Sequence, residues 1–178
     1  MDQLKDFDAS GASCTPLVLL FDSMVWDEVL VNSRLQDLLV FGEAHGCIEI
    51  VRTHVQIDQN EAMRTTKPVK FTEINGLRAQ LQEKDVPTEG FVLGVSRLGQ
   101  AKLGSDDSNL AFEELMGNQK RTLKNASDAL LAVSAEFGQR FFVSGDQRLV
   151  DKSVNLGFKV IPLSSFEGWL GSLLASKS

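Results

Sequence analysis

The chain has 178 residues, 43% of them hydrophobic, which suits one domain with a substantial buried core. Its formal net charge of −6 argues against a protein whose main business is coating a phosphate backbone, unless the acids gather around a bound cation that reverses the local potential. No apolar run of roughly 18 residues suggests a membrane span and the opening MDQLKDFDASGASC lacks the layout of a signal peptide, so a cytoplasmic protein without membrane contact is expected.

PLVLLFD, Pro16 to Asp22, reads as a strand that ends on a carboxylate. Behind it Val25, Val29, Leu30, Leu35, Leu38 and Leu39 recur at helical spacing, with Gly42 and Gly46 as stop signals. CIEIVRT fits a second strand, and HVQIDQNEAMRTT carries a weak helical face through Val55, Ile57 and Met63. Strands separated by helices imply a parallel sheet, because each crossover needs a helix's worth of chain, and the fold class is therefore α/β.

In the middle, Leu77 and Leu81 mark a short helix, and GFVLGVSRLGQAKLG, Gly90 to Gly104, alternates as a strand or hairpin would. Its spaced glycines are not a phosphate loop, since no Gly-Lys-Ser or Gly-Lys-Thr follows. SDDSNLAFEELMGNQ and NASDALLAVSAEFGQR read as helices, the first capped by Ser105 or Asp107 with Glu113 and Glu114 solvated. Asn125 or Ser127 caps the second, which puts Asp128 in its first turn. QRFFVSGD is a strand ending at Gly145 and Asp146, and GFKVIPLS is the next strand after a helical segment. In the tail FEGWLGSLLAS, Trp169, Leu170, Leu173 and Leu174 share a face that covers the chain's own sheet or, in a homodimer, a second copy.

Cys14 and Cys47 lack zinc-site spacing and read as reduced thiols, and the acceptor triplet at Asn125 reads as a chance match. His45 and His54 read as surface or hydrogen-bonded residues, and Trp26, Phe141, Phe142 and Phe158 as core.

The acids are more informative by position than by number. Asp22 and Asp146 end strands and Asp128 begins a helix, and in an open parallel sheet these places lie along one edge. Asp58 is the best fourth member, with Glu61 a near competitor. Clustered carboxylates repel one another, so they are tolerated by protonation or by cations, and hard oxygen ligands favour Mg2+ or Mn2+. Singly, each acid also reads as a turn or helix-start residue.

At this point the chain resembles the PIN-domain nucleases, through LVLLFDS around Asp22, CIEIVRTHVQID ending at Asp58, NASDALLAVSAE around Asp128, and FFVSGDQRLVDKSVNLGFKVIPLSSF around Asp146. The resemblance implies one three-layer α/β/α domain over residues 1–178, with a central parallel sheet. It also implies a divalent-metal ribonuclease site in which Asp22, Asp128 and Asp146 hold the metal, with Asp58 direct or through water. Ser144 matches the hydroxyl residue two positions before the last acid, and would position an acid or water, while Asn125 resembles a polar residue commonly found before the third. The sequence departs from the family at Asp58, where the second acid is often Glu, and at an apparent insertion of about residues 65–110.

The function expected from this is a metal-dependent endoribonuclease acting on RNA, with DNA left open as the alternative substrate. A toxin of a bacterial toxin-antitoxin pair is the nearest functional type, with an inhibitory antitoxin covering the cleft. Lys120, Arg121 and Lys124 before Asp128, with Arg52 and His54 before Asp58, offer a basic rim. The rival is a PIN-like module that keeps the fold and binds or assembles without cleaving. A phosphatase with an Asp nucleophile fits less well, because Ser23 and Met24, not a second Asp, follow Asp22.

Overall fold

The computed structural model describes residues 15–117 and 122–177. In chain order these form β1 (Leu17–Phe21), α1 (Ser23–Val31), α2 (Ser33–Ala44), β2 (Ile48–Arg52), α3 (His54–Glu61), α4 (Met63–Thr66), α5 (Pro68–Gln80) and β3 (Lys84–Asp85). There follow α6 (Asp106–Met116), α7 (Leu123–Phe137), β4 (Phe141–Ser144), α8 (Gln147–Asn155), β5 (Val160–Pro162) and α9 (Leu163–Ser176). Cys14, Lys120 and Arg121 lie outside the described residues.

The five strands make one parallel sheet in the order β3-β2-β1-β4-β5. Because side chains alternate along a strand, neighbouring residues serve opposite faces. Leu19, Phe21, Ile50 and Val143 join one core with Trp26, Leu39, Ile74, Phe166 and Leu170, beneath α1, α2, α5 and α9. Leu20, Val51 and Phe142 join the other with Leu115, Leu130, Leu131 and Leu149, beneath α6, α7 and α8. Both faces are covered, as an all-parallel sheet requires, and the architecture is three-layer α/β/α. Among the described residues no helix is long and apolar enough to cross a membrane.

Several elements differ from the sequence expectation. The helix after β1 is two helices, because Asn32 leaves helical geometry and its side chain accepts from the Leu35 N–H to start α2. α3 and α4 divide at Ala62, which itself keeps helical φ and ψ. The short helix around Leu77 is the longer α5, with Pro68 in its first turn and Leu81 as its C-cap. Residues 65–110 therefore contain α5, whose Ile74 is core, and the edge strand β3. Gly90 to Gly104 form no strand or hairpin but a series of turns, tied to the fold by an isolated parallel bridge between Thr88 and Ala101. Gly94 and Gly99 there adopt positive φ, which breaks the extended run that the alternation suggested. Finally, Thr122 caps α7, its hydroxyl accepting from Asn125 N–H, so neither Asn125 nor Ser127 is the cap and Asp128 lies in the second turn.

The tail packs on its own sheet, with Phe166, Leu170 and Leu174 buried.

Candidate functional site

The chain leaves β1 in one direction, towards β2 and β3, and returns to lay β4 and β5 on the other side of β1. The connections after β1 and β4 therefore diverge, and the carboxyl ends of these two strands open a crevice between them. Asp22 follows β1 and Asp146 follows Ser144 and Gly145 at the end of β4.

Asp22 is 7% exposed and its carboxylate is fully engaged. Oδ1 accepts from the backbone N–H groups of Met24 (2.8 Å) and Val25 (3.1 Å), capping α1. Oδ2 accepts from the Ser144 hydroxyl, in a short contact, and from Gly145 N–H at 2.9 Å. A carboxylate has about four lone-pair positions, so the protein already fills those of Asp22. Burial pushes its carboxyl up, against the pull of these hydrogen bonds. Gly145 lets β4 approach closely here: a Cβ would meet the side chains of Met24 at 3.2 Å and Leu163 at 3.3 Å, which would have to give by a few tenths of an ångström.

Asp146 caps α8, its Oδ1 accepting from Arg148 N–H (3.0 Å) and Leu149 N–H (3.4 Å), while Oδ2 pairs with the Arg148 guanidinium at 3.3 Å. Burial acts to raise this carboxyl, but the Arg148 hydrogen bonds and charge, with the Leu149 N–H, hold it below the usual value. Asp128 completes the group. Burial first, with the negative charges of Asp22 and Asp146, pushes it up to about 6, against Lys124 and a hydrogen bond from Gln59. Asp128, Asp146 and Asn125 line a notch of about 20 Å³, room for a single water-sized occupant.

The expected fourth acid does not face this group. Asp58 pairs with the Arg97 guanidinium on the 90–104 segment. Glu61 is exposed and pairs with Arg64 at 3.5 Å. The residue of α3 that reaches Asp128 is Gln59, whose amide oxygen is buried without a hydrogen-bond partner. What aims it is Gln56, 2% exposed: its Nε2 donates to Phe21 O at 2.5 Å and its Oε1 accepts from Thr53 N–H at 2.7 Å, fastening the start of α3 to the end of β1. A glutamine that completes a Thr capping box was the available signal for Gln56, and nothing local marked Gln59.

The basic rim is partly committed elsewhere. Arg52 pairs with Asp85 at 2.6 Å and Glu83 at 3.4 Å, and His54 is buried, its Nε2 accepting from Arg97 N–H at 3.3 Å. Lys124 is exposed and acts electrostatically on Asp128. His45 is exposed at the far end of α2.

No three His, Cys, Asp or Glu side chains among the described residues converge in a metal-holding group. The donor chemistry suits a hard cation in part: Asp128, Asp146 and Asn125 bring oxygen donors to the notch, but Arg148, which pairs with Asp146 Oδ2, and Lys152 line it too, and a cation there would displace the Arg148 pairing. Asp22 adds charge, and would become a ligand only by releasing Ser144, Gly145 or a helix N–H. Neither the comparison with protein-family models nor that with curated proteins gave a match.

Proposed function

We propose that the chain is a divalent-metal-dependent phosphodiesterase acting on RNA, with Asp128, Asp146 and Asp22 as its acidic centre. The observation that carries this reading is the gathering of Asp22, Asp128 and Asp146 at the switch point of the sheet, where burial first, and then the charges of Asp22 and Asp146, raise Asp128 to about 6. Buried acids gathered at a crevice that the topology opens cost the fold stability, and a bound cation relieves that cost. A bound Mg2+ or Mn2+ would supply Lewis-acid charge at the scissile phosphate.

The chain's own residues account for the rest. Asp128 and Asp146 would hold the cation as carboxylates, the form that its charge favours. Ser144 fixes Asp22 and, through its oxygen, the backbone of Asp146 at 3.1 Å, so it acts as a positioning residue. Arg148 brings a cation to the edge where a phosphate would approach.

A second reading, a PIN-like binding module without catalysis, is favoured by two observations: Asp22 has no acceptor position left, and α3 offers Gln59 where a carboxylate would add charge. One experiment separates the two. Calorimetric titration of Mn2+ into wild type, Asp128→Asn and Asp146→Asn, paired with cleavage of a structured RNA, should show binding and cleavage that both substitutions abolish. Wild-type protein that binds no Mn2+ and leaves the RNA intact would leave the binding module as the better reading.

A further inference from the structure

On the other side of the Ser144–Gly145 turn from the acidic notch lies a second, larger cleft of about 380 Å³ at the same edge of the sheet. This volume falls in the range of small-molecule sites. Its apolar walls include Met24, Leu35, Pro162 and Leu163. Its polar side comes from α1, α8 and α9. Glu28 and Glu167 are held together by Asn32, whose Nδ2 donates to Glu28 Oε1 at 3.2 Å and to Glu167 Oε2 at 2.9 Å.

The hydrogen-bonding character of the cleft follows from which groups are already used. Both amide protons that Asn32 can offer go to the two glutamates, and its Oδ1 accepts from Leu35 N–H. Gln147 donates its Nε2 to Asp151 at 2.7 Å, which leaves its amide oxygen for the cleft. Gly145 N–H is bound to Asp22. The Glu28 and Glu167 oxygens keep lone pairs beyond these partners, so the cleft is rich in acceptors between apolar walls, and donors on an apolar body suit it. Arg34, paired with Glu167 at 3.1 Å, offsets one of the two charges at the rim.

We propose that this cleft binds an unpaired nucleobase, guanine by preference, next to the cleaved linkage. The inference rests on the phosphodiesterase reading and names the substrate feature that site would select. Single-stranded RNA presents its Watson–Crick edge for such recognition, and a carboxylate accepts two hydrogen bonds in parallel. Guanine alone among the four bases offers adjacent N1–H and N2–H donors on that edge, whereas adenine and cytosine pair their amino group with a neighbouring acceptor and uracil flanks its one donor with carbonyls.

The test is equilibrium binding of the four ribonucleoside 5′-monophosphates to the full chain in EDTA, for wild type, Glu28→Gln and Glu167→Gln, with circular dichroism melts of each. Guanosine 5′-monophosphate should bind about tenfold tighter than the other three, and each substitution should erase that preference. Ser164→Phe, which adds bulk to the cleft lining and keeps both carboxylates in the sequence, should weaken all four. No binding, equal affinities, or a preference that survives both glutamine variants overturns the proposal. So does competitive occupation by arginine amide with no nucleotide preference, which assigns the cleft to a basic side chain of a protein partner. Because EDTA removes metal, the outcome is separate from catalysis: guanine preference without RNA cleavage sinks only the phosphodiesterase reading, and cleavage without base preference sinks only this one.

Discussion

The Ser144 hydroxyl joins the ends of β1 and β4, donating to Asp22 Oδ2 while its oxygen accepts from Asp146 N–H at 3.1 Å. Asp22 is buried, so the loss of this donor leaves part of a desolvated carboxylate unsatisfied. Ser144→Ala is expected to destabilise the fold by about 1–3 kcal/mol. Ser144→Thr, which keeps the hydroxyl, should retain most of that stability. Urea unfolding of the two variants decides, and an alanine variant as stable as wild type would mean the bond contributes nothing.

The raised carboxyl of Asp128 sets the sign of a pH effect. Its native value of about 6 lies above that of an unfolded Asp, so ionising it costs the native state more than the unfolded one. The stability tied to the protonated form is complete below the unfolded value and is lost as pH rises through about 6. In metal-free protein, Asp128→Asn should therefore melt higher than wild type at pH 7.5 and alike at pH 4. After discounting for partial exposure, a gain of roughly 3 °C at the higher pH is reasonable for a domain of this size. Differential scanning calorimetry in EDTA at the two pH values measures it, and a lower melting temperature for the variant at pH 7.5 would refute the electrostatic burden.

The parts of this fold set by local pattern were legible in the chain. β1 and β4 are mostly apolar runs and β2 a β-branched one interrupted by Glu49, and Asp22 and Asp146 stand one and two residues behind the ends of β1 and β4. The 90–104 segment misled because its apolar alternation is not a buried face: Leu93, Leu98 and Leu103 are 89%, 89% and 90% exposed. The two-residue β3 has no apolar pattern, as both its residues are exposed. On α3, adjacent residues point about 100° apart, so whether Asp58 or Gln59 meets Asp128 depends on the rotation of the helix. That rotation is set by Gln56 against Phe21 O, a tertiary contact 35 residues distant along the chain.

Gln59 is accordingly where charge can be added. Gln59→Glu would place a fourth carboxylate beside Asp128, and ligand charge count is a main determinant of affinity for hard cations. Mn2+ binding by calorimetry should tighten by about tenfold, a coupling of the size set by one added charge at partly exposed distance. Asp58→Asn, which only removes the partner of Arg97 on the surface, should leave Mn2+ affinity unchanged and stability within about 0.5 kcal/mol. The reverse pattern, with Asp58 governing affinity and Gln59→Glu silent, would return the fourth position to Asp58.

On the β2 side of the sheet, Glu83 leads into β3 and ties it to its neighbours by a buried ion pair. Its side chain is 1% exposed and lies 3.4 Å from Arg52 and 3.5 Å from Arg78, whose guanidinium also stacks 5.0 Å from the Trp26 ring. Burial raises the pKa of the Glu83 carboxyl and lowers that of the Arg78 guanidinium, each opposed by the other's charge. Removing one member strands the other in a nonpolar setting, so Glu83→Gln should cost about 3–5 kcal/mol in chemical denaturation. The double variant Glu83→Leu with Arg78→Met removes both buried charges and should recover most of the loss. If the double variant is as unstable as the sum of the two single ones, the pair is not coupled, and β3 is held by its backbone ladder to β2 instead.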